Sequence, residues 1–476
     1  MTRKWWTLVG ACFGLFLLML DSTVVSLALP RIRGDVGANS EQLQWMLNVY
    51  LLTLSVLVVT AGRLGDMFGR KRVFLIGMAV FGLGSVVSAG AGGPDVLILG
   101  RILQGVGGAP MLALSLAIVC NVFPAKEVPK ALGIWAAVSS SALAVGPLVG
   151  GALVEIDWRV IFWLNLPLVA LGALIVARAA PESSDPAAGH RVDWPGLGAL
   201  SLGLSAVVLA LIQSRAWSGG LVIALALVGL ASLVAFWRIE HRVRAPIVEF
   251  ALFRNRPYFG ASAAAFFLVG TFWAVIYFQP QYLQFVRGHS PIACGLMVLP
   301  TTAPMVFVSP FSGRLIAKFG VRPLMTFGMA LGLAGLLVLT QVDATTSYGV
   351  LLIGYLLFGL ALGLVYAPMS TAAMAAMPGD KVGIASGVLS MDRCVAGAVA
   401  LAGTGAIFHA LVGSGHGFAG SLAGSTWLLV GMLALGTILT WAFVRGPAEE
   451  GPDPAVAGKP GPEALQHHLH HRRFHL

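Results

Sequence analysis

The sequence predicts an all-α integral membrane protein of fourteen helices, arranged as two related six-helix halves with a pair of helices inserted between them. Three observations carry that prediction. The 476 residues are 57% hydrophobic and only 11% charged, where a soluble globular chain would have roughly a quarter of its residues charged. Apolar runs of about twenty residues recur from end to end, each long enough to cross about 30 Å of hydrocarbon as a helix. Finally, the charged stretch Gly62-Arg63-Leu64-Gly65-Asp66-Met67-Phe68-Gly69-Arg70-Lys71-Arg72 returns as Gly313-Arg314-Leu315-Ile316-Ala317-Lys318-Phe319-Gly320-Val321-Arg322. Gly, Arg, Leu, Phe, Gly and a final cation fall at matching offsets, which points to two related halves.

The spans follow in order. The first, 5–29, lacks a small-residue cleavage site and carries Asp21, so it reads as a retained helix and not a signal peptide. Spans 43–61 and 73–92 are joined by the charged stretch, which reads as a short loop. Spans 96–120, 131–153 and 159–178 complete a first half, residues 1–178. The polar, Pro-containing linker Pro181–Arg191 leads into spans 194–212 and 220–237, and the strongly basic Arg238–Arg256 closes this insert, residues 179–256. Spans 257–279, 291–313, 323–341, 348–372, 383–408 and 425–444 make a second half, residues 257–445. Residues 446–476 are rich in Pro and Gly and end in His467, His468, His470, His471, Arg472, Arg473 and His475. Such a tract can bind metal, but a disordered cytoplasmic tail is the plainer account.

The net charge of +10 suggests nucleic acid only until the cations are placed. The N-terminus and alternate loops hold 23 Lys and Arg; the opposite loops hold five, Arg31, Arg33, Arg159, Arg215 and Arg287. That asymmetry predicts a cytoplasmic-membrane protein with both termini cytoplasmic and no nucleic-acid partner. Trp5, Trp6, Trp194, Trp237 and Trp441 fall at the inner interface, and Trp45, Trp158, Trp217 and Trp427 at the outer one, as aromatic anchors do. The four Cys are scattered singly, so neither a disulfide framework nor a metal site follows. No phosphate-binding Gly-x-x-x-x-Gly-Lys-Ser/Thr occurs, and no His, Asp or Glu cluster outside the tail suits an enzyme. Two homologous helical halves favour alternating access over a channel.

Several motifs line up at once. Leu20-Asp21-Ser22-Thr23-Val24-Val25-Ser26-Leu27-Ala28-Leu29-Pro30, Gln44-Trp45-Met46-Leu47-Asn48-Val49-Tyr50-Leu51-Leu52 and Leu99-Gly100-Arg101-Ile102-Leu103-Gln104-Gly105 lie in the first, second and fourth spans. Gly146-Pro147-Leu148-Val149-Gly150-Gly151 lies in the fifth, and Asp157-Trp158-Arg159-Val160-Ile161-Phe162-Trp163-Leu164-Asn165-Leu166-Pro167 opens the sixth. With the charged stretch between spans two and three, this set resembles the fourteen-span drug/proton antiporters of the major facilitator superfamily. Two departures stand out. The second copy of the charged stretch has Ala317 where the first has Asp66, and Ser390-Met391-Asp392-Arg393-Cys394 replaces an amide-rich pattern in span thirteen.

Asp21 is the only acid inside the first twelve spans away from their ends, and a carboxylate in lipid is costly enough to mark function. It sits ~12 Å below the outer end of span one, with Arg101 ~8 Å and Gln104 ~12 Å below that of span four. These depths coincide, so Asp21 is the expected proton-coupling carboxylate, tuned by Arg101 and Gln104. A static ion pair holding two helices is the alternative. Gly146 and Gly150 are one turn apart and permit close approach of a neighbour, and Pro147 removes the bond to the Leu143 carbonyl. With Gly151 they form the motif that the resemblance implies is a seal against proton leak; ordinary packing accounts for it equally. Asn48, Tyr50, Trp273, Tyr277, Gln279 and Tyr366 are buried polar or aromatic candidates for an apolar substrate cavity. The pair Asp392–Arg393 serves the interface of the halves or transport.

Gly62, Asp66, Gly69 and Arg70 form an expected conformational latch. Asp66 near the start of span three suits helix N-termini, and the resemblance suggests a partner near Lys381–Gly383 in the other half, with Arg70 on an acid such as Glu127. Closing the latch favours the outward-open state. The function expected is export of lipophilic drugs or antibiotics in exchange for protons by alternating access. A same-fold exporter dedicated to one endogenous metabolite, lipid or siderophore is the alternative. No enzyme activity, cofactor or metal is expected, and the protein is expected to be a monomer in the lipid bilayer.

Overall fold

A computed structural model describes residues 2–124, 127–184, 193–214, 217–243, 246–377 and 382–444. The first six helices are α1 (Arg3–Val36), α2 (Ser40–Phe68), α3 (Arg70–Ala89), α4 (Pro94–Val122), α5 (Val128–Ile156) and α6 (Arg159–Ala179). The insert supplies α7 (Trp194–Ile212) and α8 (Gly219–Glu240). Then come α9 (Arg256–Gln281), α10 (Pro291–Val298), α11 (Ala303–Val308), α12 (Ser312–Phe319), α13 (Val321–Leu339), α14 (Tyr348–Ala375), α15 (Val382–Gly413) and α16 (Phe418–Phe443). The fold class is the expected one, an all-helical membrane architecture.

Among the described residues twelve helices are long and apolar enough to cross a membrane, or thirteen when the bent α5 is taken as one. The stretch expected as the tenth span is broken into α10, α11 and α12 by turns at Leu299–Thr301 and Ser309–Phe311. Pro300 and Pro304 are the physical reason for the first of these breaks, because each lacks the N–H that a continuous ladder needs. The bend in α5 is 40° between Ala137–Leu143 and Val145–Ile156, beside the Leu143 carbonyl that Pro147 leaves without its donor.

Burial sorts the helices. In α1, twenty residues on every face are buried between Thr7 and Ile32, and α9 is buried almost all round; helices covered on all sides by protein lie at the centre. In α8 only Gly229, Phe236 and Glu240 are buried, so it lies at the rim, packed on α7. In turn α7 touches both α2 and α15. Asp193 caps α7 by accepting from Gly196 N at 2.8 Å.

The charged stretch differs from expectation. It is not a loop: α2 continues to Phe68 and α3 begins at Arg70, leaving Gly69 alone as the joint at φ 105°. Gly320, at φ 81°, is the matching joint of the second copy. Both conformations are ones that L side chains rarely adopt, which explains the repeated glycine. The start of α3 is capped by Glu182, not by Asp66: its carboxylate accepts from Lys71 N at 3.0 Å and Arg72 N at 3.2 Å. Trp158 is a second correction. It is buried, donating to Asp35 at 2.9 Å, and is no interfacial anchor.

Candidate functional site

The first half contains a buried polar cluster built on four helices. Asp21 on α1 is 1% exposed, while Arg101 and Gln104 on α4 are 0% exposed. Arg101 Nη1 donates to Asp21 Oδ2 and to Gln104 Oε1 at 2.7 Å; its Nε donates to the Met46 carbonyl at 3.1 Å. Gln104 Nε2 then donates to Asp21 Oδ1 at 3.1 Å and to Ser85 Oγ at 2.9 Å. Asn165 of α6 donates to the same two oxygens at 2.8 Å and 3.2 Å. The Arg101 guanidinium lies 4.1 Å from the centre of the Tyr50 ring.

Each helix delivers its contribution for a local reason. Arg101 and Gln104 are three residues apart and therefore share a face of α4. Glycines let the backbones close in: a Cβ on Gly84 would lie 2.6 Å from Gln104 N, and one on Gly100 would overlap Ser88. Ser85 turns its own hydrogen to the Phe81 carbonyl at 3.0 Å, leaving its oxygen free to accept the two amides. Asp21 thus accepts from a cation and two amides in a buried site, and among the described residues Arg101 Nη2 has no hydrogen-bond partner.

This arrangement brings together all three residues expected for proton coupling and adds two that sequence reasoning did not assign, Ser85 and Asn165. Asn165 lay within a quoted motif but had no stated role. The six cavity candidates separate. A narrow cavity of about 60 Å³ lies between the halves, lined by Met19 and Leu143 on one side and Trp273, Tyr366, Arg393 and Cys394 on the other. It has room for a few waters and not for a drug-sized molecule in this conformation. Trp273 and Tyr366 line it; Asn48, Tyr50, Tyr277 and Gln279 do not. Tyr50 instead stacks on Arg101, Gln279 accepts from Tyr355 at 2.7 Å, and Tyr277 packs edge-on to Phe278 at 4.7 Å between ring centres. Both amide atoms of Asn48 are buried without a partner.

The Gly146-to-Gly151 motif works in two directions. A Cβ on Gly146 would strike Thr23, and one on Gly150 would lie 3.0 Å from Val24 Cα, so these two glycines face α1. Gly151 faces the other half, where a Cβ would sit 2.7 Å from the Pro291 carbonyl oxygen and 2.8 Å from Ile292 Cα. Gly295 of α10 returns the contact against the Pro147 carbonyl. The same end of the bundle, remote from Arg3 and Val444, carries Gln44 Nε2 donating to the Leu401 carbonyl at 2.8 Å and Gln284 Nε2 donating to Leu27 at 3.1 Å. That end is therefore closed. Gly151→Val puts a branched side chain against backbone that cannot rotate aside, and should hold this end open. The check is Cys294, 0% exposed beside Gly295. An impermeant maleimide should label it in the variant and not in the parent protein.

At the other end, Arg70 pairs with Asp66 at 2.8 Å. The expected partner of Arg70, Glu127, is taken by Lys4 at 2.6 Å. A Cβ on Gly62 would be in ordinary contact with Ala113, at 3.8 Å. Lys381, near the expected partner of Asp66, lies outside the described residues.

A membrane-embedded bundle with a buried charge cluster in one half and a cavity between the halves has the build of a transporter. Residues 11–401 match the model of the Major Facilitator Superfamily. The chain belongs to that superfamily. It is 34% identical over 408 residues to the multidrug resistance protein Stp of Mycobacterium tuberculosis, covering 85% of this chain and 76% of that one. It is 32% identical over 474 residues to the puromycin resistance protein pur8 of Streptomyces alboniger, covering 94% and 92%. Among solved structures, a D-xylose–proton symporter superposes with a TM-score of 0.68 over 94% of this chain and 99% of that chain, at 16% identity. That last likeness speaks for the fold alone.

Proposed function

We propose that this protein exports lipophilic compounds, antibiotics among them, across the cytoplasmic membrane in exchange for protons, as a fourteen-span monomer with cytoplasmic termini. The observation that carries the reading is the Asp21 site. An ionisable carboxylate is held in the membrane interior by Arg101, Gln104 and Asn165, at a cost that a structural role does not require. A change of conformation that altered its solvent access and its hold on Arg101 would load and release a proton. The drug-resistance relatives supply the class of substrate, and the apolar lining of the cavity suits it.

Alternating access would proceed by opening the seam at Gly151 and Gly295 while the opposite end closes. In that cycle the Asp66–Arg70 pair is the released form of the latch, consistent with closure at the far end. Everted vesicles containing the protein should accumulate a lipophilic fluorescent dye when the interior is made acidic, and lose it when a protonophore is added. Dye uptake indifferent to the gradient would refute the exchange mechanism.

A further inference from the structure

The two intramembrane arginines are in opposite circumstances. Arg101 has its counter-charge: it is fully buried and bound to the Asp21 carboxylate, Gln104 and the Met46 carbonyl, with only Nη2 lacking a partner among the described residues. Arg393, on α15 in the second half, stands at the wall of the cavity between the halves. Its Nη2 donates to Ser370 Oγ at 2.5 Å, and its guanidinium lies 4.7 Å from the centre of the Tyr366 ring. Its Nε is buried with no hydrogen-bond partner among the described residues. Among the described residues no carboxylate comes within 4 Å of it. Asp392 is the adjacent residue, and successive helical positions point to different faces; its own Oδ2 is buried and unpartnered.

A cation at a membrane-embedded wall, with a hydroxyl and a ring face as its direct contacts and the adjacent Asp392 as its nearby charge, is expensive unless a directly bonded anion completes it. Here the missing element is an anion, and the space beside the guanidinium is the cavity. Tyr366 and Trp273 line that space with flat aromatic surface, which favours a ring beside the charge. We propose that Arg393 makes the cavity an anion-accepting site whose substrates are amphipathic aromatic acids. In a conformation with the cavity widened beyond its present 60 Å³, the carboxylate, sulfonate or phenolate would seat on Arg393 and the rings against Tyr366 and Trp273. This rests on reading the cavity as the substrate site and narrows the substrate class.

The test compares naphthalene-2-sulfonate with naphthalene-2-methanol, which keeps the ring and lacks the charge. Binding is measured by titration calorimetry on the full chain in lipid nanodiscs, with protein-free discs subtracted. The protein should bind the sulfonate at least about tenfold more tightly than the alcohol, as expected for one charge-assisted contact. Arg393→Gln should abolish that preference, and Arg393→Lys, which keeps the charge, should retain it. Equal affinities, no binding of the sulfonate, or an unchanged preference in Arg393→Gln would each overturn the site. No gradient is present, so failure of proton-driven export with intact Arg393-dependent binding would sink the transport reading alone.

Discussion

Asp21→Asn should abolish gradient-driven accumulation of substrate, to the level of vesicles lacking the protein, while substrate binding survives. The substitution is nearly isosteric, so the packing of α1 is kept. Its amide oxygen can still accept from Arg101, Gln104 or Asn165, whose donors converge on Asp21 in the parent. What disappears is the ability to take up and release a proton. Because the cavity is lined elsewhere, equilibrium binding should stay within a few-fold of the parent, and downhill exchange of substrate should persist. Accumulation that still follows the pH gradient in Asp21→Asn would assign the proton to another residue.

The second large effect is on stability. Arg101→Gln removes the cation and leaves the Asp21 carboxylate buried without its counter-charge, with Gln104 and Asn165 among its remaining donors. Breaking one side of a buried ion pair costs about 3–5 kcal/mol, which corresponds to a fall of roughly 3–5 °C in Tm at ~2.1 cal/mol/K of unfolding entropy per residue over 476 residues. The double variant Asp21→Asn with Arg101→Gln is neutral throughout and should recover most of the loss, because neither buried charge is stranded. Thermal unfolding of the two single variants and the double variant in one detergent measures the coupling. Additive losses would mean that the two residues do not act as a pair, contrary to their geometry.

The sequence made the loud features legible. Asp21 and Arg101 stand out because charges are rare in apolar runs, and helical rise alone placed Gln104 at the same depth. Ser85 and Asn165 were silent for the opposite reason. Small polar side chains in membrane helices usually bond back to their own backbone, as Ser22 does to Leu18 at 2.6 Å and Ser55 to Leu52 at 2.7 Å. Nothing in the local sequence marks Ser85 as one that also accepts from two other helices. The fold class and the repeat were readable from hydropathy and spacing, whereas the extent of α2 was not. Charge made Gly62–Phe68 look like a loop, but the i, i+4 pair of Asp66 and Arg70 and the hydrogen bond from Gly69 N to the Gly65 carbonyl at 3.0 Å carry the ladder on to Gly69. Tyr277 and Gln279 were plausible cavity residues by depth alone; which way a side chain faces depends on neighbours that sequence spacing does not specify.

The insert has a mechanical consequence. Helix α7 leans on α2 of one bundle and on α15 of the other, and α8 backs it from the rim. If the bundles rock against each other, α7 cannot stay fixed to both. It must slide along at least one of them, like a shim in a hinge. A shim of this kind adds friction to the stroke, and its outer surface, α8, is the part turned toward lipid. The thickness and fluidity of the surrounding bilayer would thereby set a drag on turnover without touching either charge site.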